Sequence, residues 1–164
     1  EGIIEVGGLA EPEEIPTENI FEQIASGRLL TQIASDTGVE ILGLGSFVAS
    51  EARGEHTSDD LVSEIRDMQD SFAGQPTSEQ RCARAWKLFQ DDPMEASQLA
   101  LREAYESVPT HLRMYLLGDM DVKDIPIRMA IYGDEELEKW SHRVVAKERG
   151  ITPLPSIKVP KVKS

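Results

Sequence analysis

The chain has 164 residues, and its 30 acidic and 17 basic side chains give a formal net charge of −13. This excess of acid excludes a protein that binds nucleic acid or anionic lipid by charge alone, because both need clustered Lys and Arg. No apolar run reaches the roughly 18–20 residues of a membrane-spanning helix. We therefore expect neither direct nucleic-acid binding nor membrane insertion.

The N-terminal segment, residues 1–16, is predicted to be an extended acidic arm. Its glycines and prolines interrupt helices, and they fall at Gly2, Gly7, Gly8, Pro12 and Pro16. Residues 1–26 carry seven acidic side chains and no basic one. The negative charge is therefore concentrated at this end of the chain.

Residues 17–150 are predicted to form a helical body. Thr17 begins the first helix, whose apolar residues run from Ile20 at near-helical spacing to Ile33 and end before Gly38. Next, Gly43 and Gly45 indicate a tightly packed helix or hairpin. The alternative is a nucleotide-binding turn, since the same glycine pair opens a dinucleotide fold.

Three better-marked helices follow. Thr57 or Ser58 caps the first, with an apolar stripe of Leu61, Ile65, Met68 and Phe72. Thr77 and Gln80 form a capping box before a second helix, which carries Cys82, Trp86 and Phe89 on one face. Asp92 and Glu95 predict another capping box, with Pro93 at the first helical position.

The last predicted helix extends from Asp134 to Gly150, with acidic residues in its first turn and Lys147 and Arg149 in its last. Beyond it, residues 151–164 contain three prolines and alternate apolar with basic side chains, which indicates an extended basic arm. Such a segment can dock on an acidic partner. The predicted partner-binding residues are Ile157, Lys158, Val159, Lys161, Val162 and Lys163.

The predicted fold is therefore all-α, a compact body of about six to seven short helices with extended N- and C-terminal arms. The single cysteine, Cys82, excludes an intrachain disulfide. It favours a reducing intracellular compartment (cytoplasm, organelle matrix or virion interior) over a disulfide-rich secreted protein.

Candidate metal ligands are Asp60, Glu64 and Asp67, whose spacing puts three carboxylates on one helix face. The Glu64–Asp67 pair has the ExxD form of all-α nucleotide pyrophosphohydrolases, in which carboxylates bind Mg²⁺. The favoured interpretation of these carboxylates is a solvated acidic face that holds no metal ion. No other pattern predicts catalytic residues, and we expect no cofactor.

These observations favour a non-catalytic structural or adaptor subunit of a larger protein assembly, which contacts its neighbours through its terminal arms. A viral or phage particle component, an accessory subunit of a multiprotein complex and a homo-oligomer all fit this hypothesis. Two alternatives stay open. One is a small all-α Mg-dependent nucleotide hydrolase, and the other is an acidic regulatory protein that binds a basic partner.

Overall fold

The computed structural model describes residues 3–6, 13–30, 32–41, 43–49, 56–118 and 121–163. The chain divides into two compact units, Glu1–Val62 and Ser63–Ser164. No local sequence signal predicts a division at this point. Helices dominate the described residues, so the predicted all-α class is confirmed.

The described residues of the first unit form two antiparallel strand pairs and a short helix. Strands β1 (Ile3–Val6) and β2 (Glu13–Pro16) pair, so the described parts of the predicted N-terminal arm are extended. A 3-10 turn (Thr17–Asn19) leads into helix α1 (Ile20–Ala25), whose Ile20 and Ile24 are buried. Strands β3 (Gly38–Ile41) and β4 (Gly45–Val48) form the second hairpin.

One detail of the first unit contradicts the prediction for helix α1, and another decides between the two predicted roles of the glycine pair. Helix α1 ends at Ala25, and the predicted continuation to Ile33 is wrong because Gly27 adopts a positive φ of 74° that terminates the helix. The glycine pair lies in the β3–β4 turn, where Gly43 and Gly45 have φ of 79° and 105°. These left-handed conformations favour glycine, so the pair serves a hairpin rather than a strand–helix turn.

Helix α2 (Ser58–Phe72) spans the division between the units. Helix α2 is followed by α3 (Ser78–Asp91), α4 (Glu95–Glu106), a 3-10 turn (Arg113–Tyr115) and α5 (Ile125–Tyr132). Its core joins α3, α4 and α5 through Cys82, Trp86, Phe89, Leu101, Tyr105, Val108, Ile127, Ala130 and Ile131. The predicted apolar face of α3 is therefore confirmed.

The predicted helix from Asp134 to Gly150 is two elements, a 3-10 helix (Asp134–Lys139) and α6 (Ser141–Glu148). Trp140 separates them because its backbone is extended, with ψ of 125°. Its indole N–H donates to the carbonyl of Asp121 at 2.5 Å, and its ring packs with Ile125 and Met129. A tertiary contact thus interrupts a helix that local sequence would continue.

After α6, residues 154–163 form neither helix nor strand, as predicted for the C-terminal arm. No helix among the described residues is long and apolar enough to cross a membrane. Cys82 is a buried free thiol. Burial raises its pKa to about 11, and the nearby Arg113 charge opposes this only in part.

Candidate functional site

A buried tyrosine–aspartate pair lies at the centre of the second unit. Tyr105 projects from α4, and its hydroxyl donates to Oδ2 of Asp124 at 2.5 Å. The two residues are only 4% and 7% exposed. Burial and the hydrogen bond to Asp124 raise the pKa of Tyr105 well above its ordinary value. The phenol is therefore the donor and the carboxylate the acceptor at neutral pH.

Arg113 covers this pair from the 3-10 turn after α4. Its guanidinium lies 5.2 Å from the centroid of the Tyr105 ring. Its Nε donates to the carbonyl of Val108 and its Nη2 to that of Glu106, each at 2.9 Å. The side chain thus satisfies carbonyls at the end of α4, where a helix lacks backbone donors. These contacts hold the guanidinium in place through backbone carbonyls.

A second buried carboxylate, Glu136, is shared by two cations. Arg128 on α5 and Lys139 at the end of the 3-10 helix both donate to it, Lys139 to Oε1 at 2.5 Å. Burial alone would raise the pKa of Glu136. The Lys139 hydrogen bond and the Arg128 charge outweigh that effect and hold the pKa below its ordinary value. Glu136 therefore stays ionised.

The Tyr105–Asp124 pair lines a cavity of about 490 Å³. Its lining contains four cationic side chains, from Arg113, Lys123, Arg128 and Lys139, and one acidic side chain, from Asp124. Lys123 lies just before α5 with a positive φ of 55°, which is uncommon for a residue with a β-carbon. Thr110, Tyr132, Trp140 and Ser141 add hydroxyl groups and aromatic surface. This cavity is the candidate functional site.

Sequence reasoning missed this site. Its four cations come from different elements, so no local motif contains them. The available signal was the presence of four bases within residues 113–139 of an acidic chain, with wide spacing. Summing the charge of whole segments conceals such a cluster because nearby acidic residues cancel it.

The predicted partner-binding residues lie on the protein's own body. Ile157, Val159 and Val162 are partly buried against core residues of the second unit. The backbone N–H of Lys163 donates to the carbonyl of Pro93 at 2.8 Å, and its ammonium contacts Asp92, also at 2.8 Å. Lys161 contacts Asp134, and Lys158 is exposed. The segment therefore binds in cis, and its contact with a neighbour stays a prediction.

The predicted metal ligands have separate protein partners. Asp60 in the first unit is buried, and its Oδ2 accepts the N–H and hydroxyl of Thr57 at 3.0 and 2.8 Å. In return, the Thr57 hydroxyl accepts the N–H of Asp60 at 3.1 Å. Asp60 therefore stabilises the beginning of α2.

The other two carboxylates belong to the second unit. Asp67 accepts the backbone N–H of Ser78 at 2.6 Å and also the Ser78 hydroxyl. Glu64 contacts Nε2 of His111 at 3.0 Å. Both residues line a cavity of about 420 Å³ together with His111 and Glu79. The contacts of Asp67 connect α2 to the first turn of α3.

Comparison with known families gives two matches. Residues 1–76 match the family model of a domain of unknown function (DUF7638), and residues 77–152 match that of a second domain of unknown function (DUF7639). The two matches meet at Thr77, the N-cap of α3. No curated protein and no solved structure matches the chain.

Proposed function

We propose that this protein is a non-catalytic structural or adaptor subunit of a larger protein assembly. The single observation that carries the proposal is the exposed apolar surface of the β3–β4 hairpin. The proposed kind of assembly includes a viral or phage particle and a multiprotein complex with an accessory subunit.

The hairpin pairs Val39 with Phe47 and Ile41 with Gly45, so alternation puts Val39, Ile41 and Phe47 on one face. Ile41 and Phe47 are exposed, and Leu44 at the turn is 82% exposed. A two-stranded hairpin is only marginally stable in water unless its apolar face packs against another element. A face of this composition is therefore suited to contact with another protein chain.

Helix α2 adds a second exposed apolar surface. Met68 and Phe72 are four residues apart and share one side of the helix, and Phe72 is 91% exposed. The predicted apolar stripe of α2 is therefore only partly buried, with Ile65 as its buried member. Paired large apolar side chains on an exposed helix face support a role in protein contact.

The C-terminal segment takes a different place in this proposal from the one expected from sequence. Its apolar side chains pack on the second unit, so we assign its primary role to holding that unit together. Its exposed Lys158 remains available to an acidic neighbour. The hydrolase and acidic-regulator alternatives stay predictions, and the engagement of Asp60 and Asp67 with helix termini supports the non-catalytic proposal.

Native mass spectrometry of the chain purified under non-denaturing conditions from the cells that make it tests the proposal. We expect a stoichiometric complex with other subunits. The double variant Ile41→Ser/Phe47→Ser should reduce the assembled fraction by about tenfold, because central apolar contacts dominate most interfaces. The matched control is Leu99→Ser on α4, which removes a similarly exposed apolar side chain from the second unit.

The variants are first compared by circular dichroism, which should show equal helix content since the hairpin contains none. A wild-type chain that is monomeric in the purified native material would contradict the proposal. Equal assembly of the double variant and wild type would place the contact surface elsewhere than on the hairpin.

A further inference from the structure

The cavity beside Tyr105 is positively charged in a protein whose net charge is −13. Its four cationic side chains outnumber the acidic groups near them. Asp124 is the acidic side chain in the lining, and Glu136 is the carboxylate bound by Arg128 and Lys139. Among these described groups, the four cationic side chains therefore exceed the two carboxylates by two charges.

Arg113 and Lys123 are the two lining cations that make no ion pair with a carboxylate among the described residues. Arg113 uses its guanidinium on backbone carbonyls and on the Tyr105 ring. Lys123 is partly buried, and within the described residues its ammonium contacts no carboxylate. Partly buried cations without acidic partners are costly, and a bound anion removes that cost.

The cavity lining also contains neutral groups that can contact the uncharged part of a ligand. Ser141 is the first residue of α6, so the positive end of that helix dipole adjoins the cavity. The rings of Trp140 and Tyr132 supply aromatic surface. A volume of about 490 Å³ lies within the range of small-molecule sites, about 300–1,000 Å³. The cavity can therefore hold an organic group in addition to an anionic one.

We propose that this cavity binds a small phosphate monoester. The dianionic phosphoryl group matches the excess of positive charge among the described groups, and its three oxygens can accept donors that converge from separate elements. The cavity lining contains two guanidinium groups, from Arg113 and Arg128, and guanidinium is a common partner of phosphate oxygens. The organic part of the ester would lie against Trp140 and Tyr132. This site is independent of the proposed assembly surfaces.

Isothermal titration calorimetry with phenyl phosphate tests the proposal, because this probe combines a dianionic phosphoryl group with an aromatic ring. We expect saturable binding at one site. Benzenesulfonate has the same ring but a single negative charge, and it should bind at least about tenfold more weakly. Absence of saturable phenyl phosphate binding up to about 10 mM, or equal affinity for the two probes, would overturn the proposal.

Substitutions locate the binding to the cavity. Lys123→Gln should weaken phenyl phosphate binding by about tenfold, whereas Lys123→Arg keeps the charge and should retain most of the affinity. Lys87→Gln is the matched control, since Lys87 is exposed on α3 outside the cavity lining. Equal loss in Lys87→Gln and Lys123→Gln would reveal unspecific charge attraction and overturn the site.

The last measurement separates the two sources of a phosphoryl group. A phosphoserine peptide should bind no more tightly than phenyl phosphate, because the proposed contacts are to the phosphoryl group and to one adjoining aromatic ring. A peptide affinity at least about tenfold higher would overturn the small-molecule proposal in favour of a phosphoprotein partner.

Discussion

Removal of one hydroxyl, by Tyr105→Phe, tests the physical account of the buried pair. The substitution leaves the ring, its core contacts and the Arg113 guanidinium 5.2 Å above it in place. It removes the 2.5 Å hydrogen bond to Asp124. The 7% exposed carboxylate then loses a donor that water cannot readily replace.

A buried polar group that loses its partner costs about 1–3 kcal/mol of unfolding free energy. The chain provides a matched control in Tyr132, whose hydroxyl donates to Glu106 at 3.0 Å on the exposed surface. Tyr132→Phe should change the unfolding free energy by about 0.5 kcal/mol or less, because water replaces the lost donor there. Loss of a tyrosine hydroxyl is thus predicted to cost more unfolding free energy at the buried Tyr105 than at the exposed Tyr132.

Urea denaturation followed by tryptophan fluorescence measures both variants, since Trp86 and Trp140 are buried in the second unit. Equal destabilisation by Tyr105→Phe and Tyr132→Phe, or a loss below about 0.5 kcal/mol for Tyr105→Phe, would refute the reasoning. Alkaline pH supplies an independent check. The Tyr105 pKa is raised on folding, so its contribution is complete below the ordinary value of 10.0 and declines above it.

The size of that decline follows from proton linkage. Above pH 10 the unfolded chain releases the Tyr105 proton and the folded chain retains it. Unfolding free energy should therefore fall by up to about 1.4 kcal/mol per pH unit more in wild type than in Tyr105→Phe. Parallel alkaline curves for the two proteins would show that burial does not hold the proton.

Three further predictions concern other side chains of the second unit. Glu136→Gln should destabilise the protein more at pH 7 than at pH 3. The pKa of Glu136 is lowered on folding, so its contribution is complete above the ordinary value of 4.5 and declines as pH falls. Chemical denaturation at both pH values measures this, and equal destabilisation at the two would contradict it. Cys82 should resist thiol reagents until the protein unfolds, since it is buried with a pKa of about 11. The extent of labelling in increasing urea should therefore follow the fluorescence transition. Full labelling of the native protein would contradict burial of the thiol. Val162→Ala should cost about 1 kcal/mol of unfolding free energy through lost core contacts, whereas Lys158→Ala should have no measurable effect. Urea denaturation measures both variants. Equal midpoints would show that the C-terminal segment does not pack against the core.

Local sequence signals predicted the elements that depend on near neighbours. The capping box of α3 is confirmed, with Thr77 and Gln80 exchanging backbone and side-chain hydrogen bonds. The burial of Cys82, Trp86 and Phe89 followed from helical spacing alone. The capping box and the helical spacing each depend on residues a few positions apart, so the local sequence is sufficient to predict this helix and its buried face.

The Asp92–Glu95 capping box is wrong, because helix α4 begins two residues later than that pattern requires. Met94 is the N-cap and Glu95 the first helical residue, and the hydroxyl of Ser97 accepts the N–H of Met94 at 3.0 Å. The side chain of Asp92 contacts Lys163. The basic cavity was missed for a long-range reason, since its cations meet only after α4, α5 and the 3-10 helix have packed.

The contact between Lys163 and Pro93 also constrains the order in which the second unit can fold. Contacts between residues this far apart along the chain raise the contact order and slow folding, because a long loop must close before they form. Val159 and Val162 complete the packing around α3, α4 and α5. During synthesis, the helices therefore emerge before the residues that cover them, and this core is complete only after Val162 has left the ribosome.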